Sequence, residues 1–180
     1  MAATYKSQIA KLQSRLDALE AESDIRRVVA RYMEICDDLA PDAPMDELGE
    51  LFTKDAVWAG SGKAYKKAFG GHSGRKAIVD FLTTYCVPQP HFKSNVHFLT
   101  SETIAVRGNK ASGTWVMLQT PTFANEQSFV LAARLSLRFA VEDDSWRISR
   151  FQTTNLLGRP IDGGWHSGAP IPTPSPAATN

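Results

Sequence analysis

Across residues 128–141 every second side chain is apolar: Phe129, Leu131, Ala133, Leu135, Leu137 and Phe139 alternate with small or charged neighbours. A period of two marks a strand with one face turned to a core and the other to water. One such strand cannot bury its apolar face alone, so the chain must assemble a sheet around it. The flanking sequence supplies candidates. Residues 96–107, the turn Gly108-Asn109 and residues 110–120 read as a hairpin. Asp143-Asp144-Ser145 then turns into a last strand from Trp146 to about Leu156.

The first half of the chain has a helical period instead. In residues 6–22, Ile9, Leu12, Leu16 and Leu19 recur at spacings of three and four between charged residues. This predicts an amphipathic helix whose narrow seam packs on the domain or on a partner chain. Ser23 or Asp24 can cap a second helix, with Ile25, Val28, Val29, Tyr32, Met33 and Cys36 on one stripe and an end at Asp37, Asp38, Pro41 and Pro44. Residues 45–53 read as a short helix and residues 55–60 as a short strand, followed by a turn at Gly70-Gly71. A further helix runs through Ile78, Phe81, Leu82 and Tyr85, stopped before Pro88 and Pro90. Helices followed by long meander strands predict an α+β domain, a half-barrel or cone of curved antiparallel sheet closed by helices, with a pocket inside. The division expected is an N-terminal helical extension at 1–22, a domain at 23–158 and a proline-rich tail at 159–180, which is ordered only if something holds it, for instance as a lid.

Composition removes several function classes. Formal net charge is +1, and Arg26, Arg27 and Arg31 stand among acidic residues, so no basic face suggests nucleic acid or an anionic membrane. No apolar run approaches the ~20 residues of a membrane helix, and residues 1–13 hold no signal-like apolar core. A cytoplasmic protein is the expectation. Cys36 and Cys86 lie in apolar surroundings without metal-ligand spacing and read as two buried thiols.

Four stretches, taken in order, resemble the SnoaL-like, nuclear transport factor 2-like families. They are IRRVVARYMEICDD with ELFTKDAVW, then GGHSGRKAIVDFL, then HFLTSETIAVRGNKASGTW, and last SWRISRF. The pattern is most similar to the scytalone dehydratase-like and dehydrochlorinase-like set. The resemblance implies a cystatin-like fold, chemistry without metal or organic cofactor, and a site pairing Asp37 at the end of a helix with His97 at the start of the hairpin. It adds Arg150 in the last strand and Tyr32 in the helix. Ser101 departs from the family's usual Asn after HFLT.

The chemistry follows from the residue types. Imidazole titrates near neutrality, and a carboxylate on its second nitrogen fixes the tautomer and stabilises the imidazolium. His97 would take a proton beside an electron-withdrawing group while Tyr32 or Arg150 assists a leaving group or enolate. Each residue also has a plainer reading. His97 is otherwise a satisfied strand histidine, Asp37 a turn former with Asp38 as its rival, and Tyr32 a core residue about 140° round the helix from position 37. Strand alternation places Arg150 on the face of Trp146 and Ile148, where its partner is a substrate, Asp37 or a structural ion pair. His91 and His97, six apart, make a metal site only if their strand is continuous. Trp58, Trp115, Met117, Phe52, Phe69 and Phe129 are the candidate pocket lining, while His72 reads as a turn residue and His166 lies in the tail.

Two functions follow. One is a cofactor-independent lyase or isomerase acting on a hydrophobic, cyclic small molecule. The other is a non-catalytic small-molecule-binding or assembly module, such as the small subunit of a ring-hydroxylating dioxygenase. Under both, a homo-oligomer (dimer or trimer) is expected, because helices cover only one face of the sheet.

Overall fold

In the computed structural model, which describes residues 2–165, helices and a single eight-stranded sheet enclose one core. The chain opens on α1 (Ala2–Asp37), one continuous helix where two were expected. No glycine or proline interrupts it. Ser23 and Asp24, the expected caps, instead receive the guanidinium of Arg27 one turn further on, so their side chains do not compete for backbone. The half from Ala21 onward buries Ile25, Val29, Tyr32, Met33, Ile35 and Cys36 against the sheet.

After α2 (Met45–Glu50) comes β1 (Phe52–Ser61), which starts earlier than the sequence suggests because Phe52 faces the core rather than ending a helix. The helix α3 (Gly62–Phe69) occupies a stretch to which the sequence assigned no element, and β2 (Gly71–Ser73) pairs with β1 where a turn was expected. Next are α4 (Arg75–Thr83), β3 (Phe92–Ser94) and β4 (His97–Arg107). Then follow β5 (Lys110–Gln119), β6 (Thr122–Phe123), β7 (Ser128–Glu142) and β8 (Ser145–Ile161). The last strand outruns its expected end near Leu156, since residues 158–161 pair with the start of β7. Residues 166–180, with His166 and most of the tail, lie outside the described residues.

Strand order is β2-β1-β8-β7-β5-β4, antiparallel throughout except that β1 runs parallel to β8. The sheet is curved and does not close. Asp143 and Asp144, both at positive φ, make the two-residue turn between β7 and β8. The two strands carry a bulge: Arg138 pairs with Arg150, yet Phe139 pairs with Ile148. That extra residue reverses the phase of β8, so Ile148 and Phe151, three apart, are both buried. At the solid end of the cone, Phe52, Leu137, Phe139 and Ile148 are almost fully excluded from water. The other end is hollow.

Candidate active site

α1 ends at the hollow end, and its last turn is tied to the sheet by three polar links. The Asn95 side-chain amide donates to the Cys36 carbonyl at 3.0 Å, satisfying one of the helix's orphan acceptors. Gln119 Nε2 in turn donates to Asn95 Oδ1 at 2.9 Å. The backbone N–H of His97 donates to Asp37 Oδ1 at 2.9 Å, and His97 Nδ1 lies 2.6 Å from the same oxygen. A carboxylate at a helix C-terminus opposes the macrodipole, and these two donors are the compensating partners. Asp38, the rival carboxylate, is exposed.

With Asp37 accepting at Nδ1, the neutral ring carries its proton there and presents Nε2 as a bare lone pair. His97 lines a cavity of about 210 Å³, whereas Asp37 stands behind the ring and does not line it. The side chains are 10% and 29% exposed, so the carboxylate keeps some water and the imidazole little. The angular conflict between positions 32 and 37 is thereby resolved without unwinding the helix. Tyr32 faces the cavity directly, and Asp37 acts on it only through His97.

The walls are mostly aromatic. Trp58 stacks on Phe151 at 5.7 Å and 6°, with Phe81 and Phe69 against its other sides. Trp58 Nε1 donates to the Tyr32 hydroxyl at 3.0 Å, deep in the wall. In a second aromatic group at the rim His91 meets Tyr85, Phe92 and Phe123 edge to face, while Phe92 stacks on Tyr85 and tilts against Phe123. Burial holds the Tyr32 hydroxyl well above the usual phenol range and pushes the adjoining Cys36 thiol up to about 12. Both therefore stay protonated, Tyr32 as an O–H donor in the wall.

A stability prediction follows from Cys36. Its folded value is raised above the ordinary 9.0. From about pH 9 upward the unfolded chain sheds the thiol proton while the folded chain retains it, so stability falls with rising pH. The limiting slope is about 1.4 kcal/mol per pH unit. Urea midpoints from pH 8 to 11 should decline for the wild type, and Cys36→Ala should flatten part of that decline. Equal slopes for the two proteins would show that Cys36 contributes nothing.

Of the residues picked from sequence, His97, Tyr32, Trp58, Met117 and Phe69 line the cavity and Asp37 supports it. Arg150 does not. The β8 bulge puts it on the face opposite Phe151 and Thr153, where it donates to Gln152 at 3.3 Å rather than meeting Asp37 or the cavity. Phe52 lies one layer deeper, beneath Tyr32. Trp115 lies further along β5 from Met117, and its indole N–H donates to Glu102 at 3.1 Å. It is Phe123 that reaches the cavity, with Phe129 packed edge-on behind it. Sequence reading missed Phe81, Tyr85, Phe92, Asn95, Gln119 and Phe151. For Gln119 the sequence misleads by one residue: counting back from Gly108-Asn109 sets Thr120 opposite His97, and the bulge between Thr100 and Thr103 brings Gln119 there instead. His72, read as a turn residue, pairs within β2 and stacks on Phe81. Among the described residues no three His, Cys, Asp or Glu side chains gather as metal ligands.

Residues 17–152 match the SnoaL-like domain family, and the chain belongs to it. No curated protein matches it by sequence. Among solved structures, a hexachlorocyclohexane dehydrochlorinase (LinA) of type 2 superposes with a TM-score of 0.71 at 20% identity, covering 87% of this chain and 97% of that one. A protein from Novosphingobium aromaticivorans DSM 12444 named after scytalone dehydratase gives 0.66 at 18% identity, over 90% and 96%. An NTF2-like protein with a cystatin-like fold from Novosphingobium aromaticivorans gives 0.62 at 22% identity, over 88% and 93%. At these identities the likeness establishes the nuclear transport factor 2-like, cystatin-like fold. Some of the proteins that share it are named as dehydrochlorinases and dehydratases. No helix among the described residues is long and apolar enough to cross a membrane.

Proposed function

We propose that this protein is a cofactor-independent lyase or isomerase of dehydratase type, acting on a hydrophobic, cyclic small molecule. The observation that carries the reading is the 2.6 Å contact of His97 Nδ1 with Asp37 on a ring that lines an aromatic-walled cavity, which leaves Nε2 as the nitrogen free of that carboxylate. His97 Nε2 removes a proton from a carbon beside a carbonyl, and Asp37 stabilises the imidazolium that forms. The electron pair either expels a group from the neighbouring carbon, giving an alkene, or, where a double bond already joins the next two carbons, delocalises so that the proton returns two carbons along and the double bond shifts by one position. Tyr32, kept protonated by burial, is the donor available in the wall for developing negative charge on oxygen. Arg150 has no part in this mechanism. The dehydrochlorinase and scytalone dehydratase names of similar folds support elimination as the reaction type. The binding-module alternative calls for no enclosed imidazole–carboxylate pair, and so fits the site less well.

The test is proton exchange, which requires no knowledge of the natural leaving group. The wild type is incubated in D2O with 3-hydroxycyclohexanone and with bicyclic ketone probes, and deuterium uptake and alkene formation are followed by NMR. Uptake above background, abolished in His97→Gln, is expected. Equal uptake by the two proteins would overturn the assignment of His97 as base.

A further inference from the structure

The first half of α1 projects from the body of the protein and carries an apolar stripe left open to solvent. Tyr5, Ile9, Leu12, Leu16 and Leu19 recur at spacings of four, three, four and three, with exposures between 49% (Leu16) and 65% (Ile9). The helix meets the body only from Ala21, which is buried. Alternating three- and four-residue spacing is the seam of a two-stranded coiled coil rather than the broader face that packs on a sheet. A free helix of this length is marginal in water, but this one is continuous with a half anchored in the core. It is held in a binding-ready form, and docking costs little further ordering.

Charge on the arm identifies the occupant. Ahead of Leu16 its charged residues are Lys6, Lys11 and Arg15; from there to Glu22 they are Asp17, Glu20 and Glu22. Lys6, Lys11, Arg15 and Glu20 enter no ion pair among the described residues. A second arm laid parallel would set the basic half on the basic half and the acidic half on the acidic half. Laid antiparallel, each basic half lies along an acidic one, and Lys6 of each copy comes beside Glu20 of the other, two heptads along the same flank of the seam. The arm is thus complementary to itself under a two-fold axis, the condition for an isologous contact. We infer that two copies of this chain associate through an antiparallel pairing of residues 5–19 of α1, and that this arm is an oligomerisation element separate from the cavity.

Sedimentation equilibrium of the full chain tests the pairing. The wild type should show a concentration-dependent doubling of mass that Leu12→Glu/Leu16→Glu weakens by about 100-fold or more, since each substitution would bury a charge in the seam. Leu12→Gln/Leu16→Gln is the milder companion variant, and circular dichroism checks that both keep the helix. Raising salt should weaken the association, because opposite halves attract. Spin labels at Thr4→Cys should lie roughly 25–30 Å apart across an antiparallel pair and under about 20 Å in a parallel one. Masses unchanged by the seam variants would overturn the proposal. Salt-strengthened association with short label distances would overturn the antiparallel arrangement. Binding of the wild-type arm to phosphatidylserine vesicles in place of self-association would overturn pairing altogether.

Discussion

Replacing Asp37 with asparagine is expected to slow proton abstraction by about 10³–10⁴-fold while leaving the fold intact. Asparagine keeps the shape and still accepts from the His97 backbone N–H, so the last turn of α1 stays tied to β4. What it lacks is negative charge. The imidazolium formed when Nε2 takes a proton would lose its counter-ion, and the amide NH2 could turn toward Nδ1 and force the unproductive tautomer. Because Asp37 does not line the cavity, the loss should appear in kcat with KM nearly unchanged. The same deuterium-exchange probes report it. A variant with raised KM and intact kcat would mean that Asp37 only shapes the site.

The largest stability effect is expected at Gly60. A Cβ there would stand 2.2 Å from the backbone carbonyl oxygen of Tyr65, in the helix that follows the strand. No rotamer change relieves a clash with main chain, so Gly60→Ala must push α3 away from β1, at a cost of roughly 3 kcal/mol or more. Tyr65 and Phe69 ride on that helix and line the cavity, so the displacement opens the site as well. A urea midpoint within error of the wild type would show that α3 sits on β1 more loosely than these distances imply. At Gly70 a Cβ would meet nothing within 4 Å, so only its positive φ limits substitution, and Gly70→Ala is the milder control.

Legibility in the sequence depended on how far each signal reached along the chain. The alternation in β7 survives because its pairing with β5 keeps one register throughout and the extra residues of its pairing with β8 lie on β8. The Asp37–His97 pair spans 60 positions, and no periodicity bridges that distance; the resemblance to a family supplied it. Alternation failed for Arg150 for a definite reason. One extra residue near Ser149 inverts the faces from there to a second bulge near Leu156, and a bulge leaves no fixed mark in composition. The seam of α1 was legible as a helix, but its continuation through Ser23 and Asp24 depended on Arg27 engaging both. The rim aromatics were the least legible. Tyr85 and His91 come from the segment after α4, and Phe92 and Phe123 from the short paired strands β3 and β6, whose mutual approach is set by tertiary structure.

The parallel pairing of β1 with β8 has a consequence for biosynthesis. Phe52 finds Ile148, and Trp58 finds Phe151, only across most of the chain. During translation β1 and its helices therefore leave the ribosome with no sheet neighbour but the short β2, exposing apolar surface until the final strand emerges. Nascent chains ending before Phe151 should engage chaperones and be readily degraded, while release of the complete chain lets the sheet and the cavity wall form together.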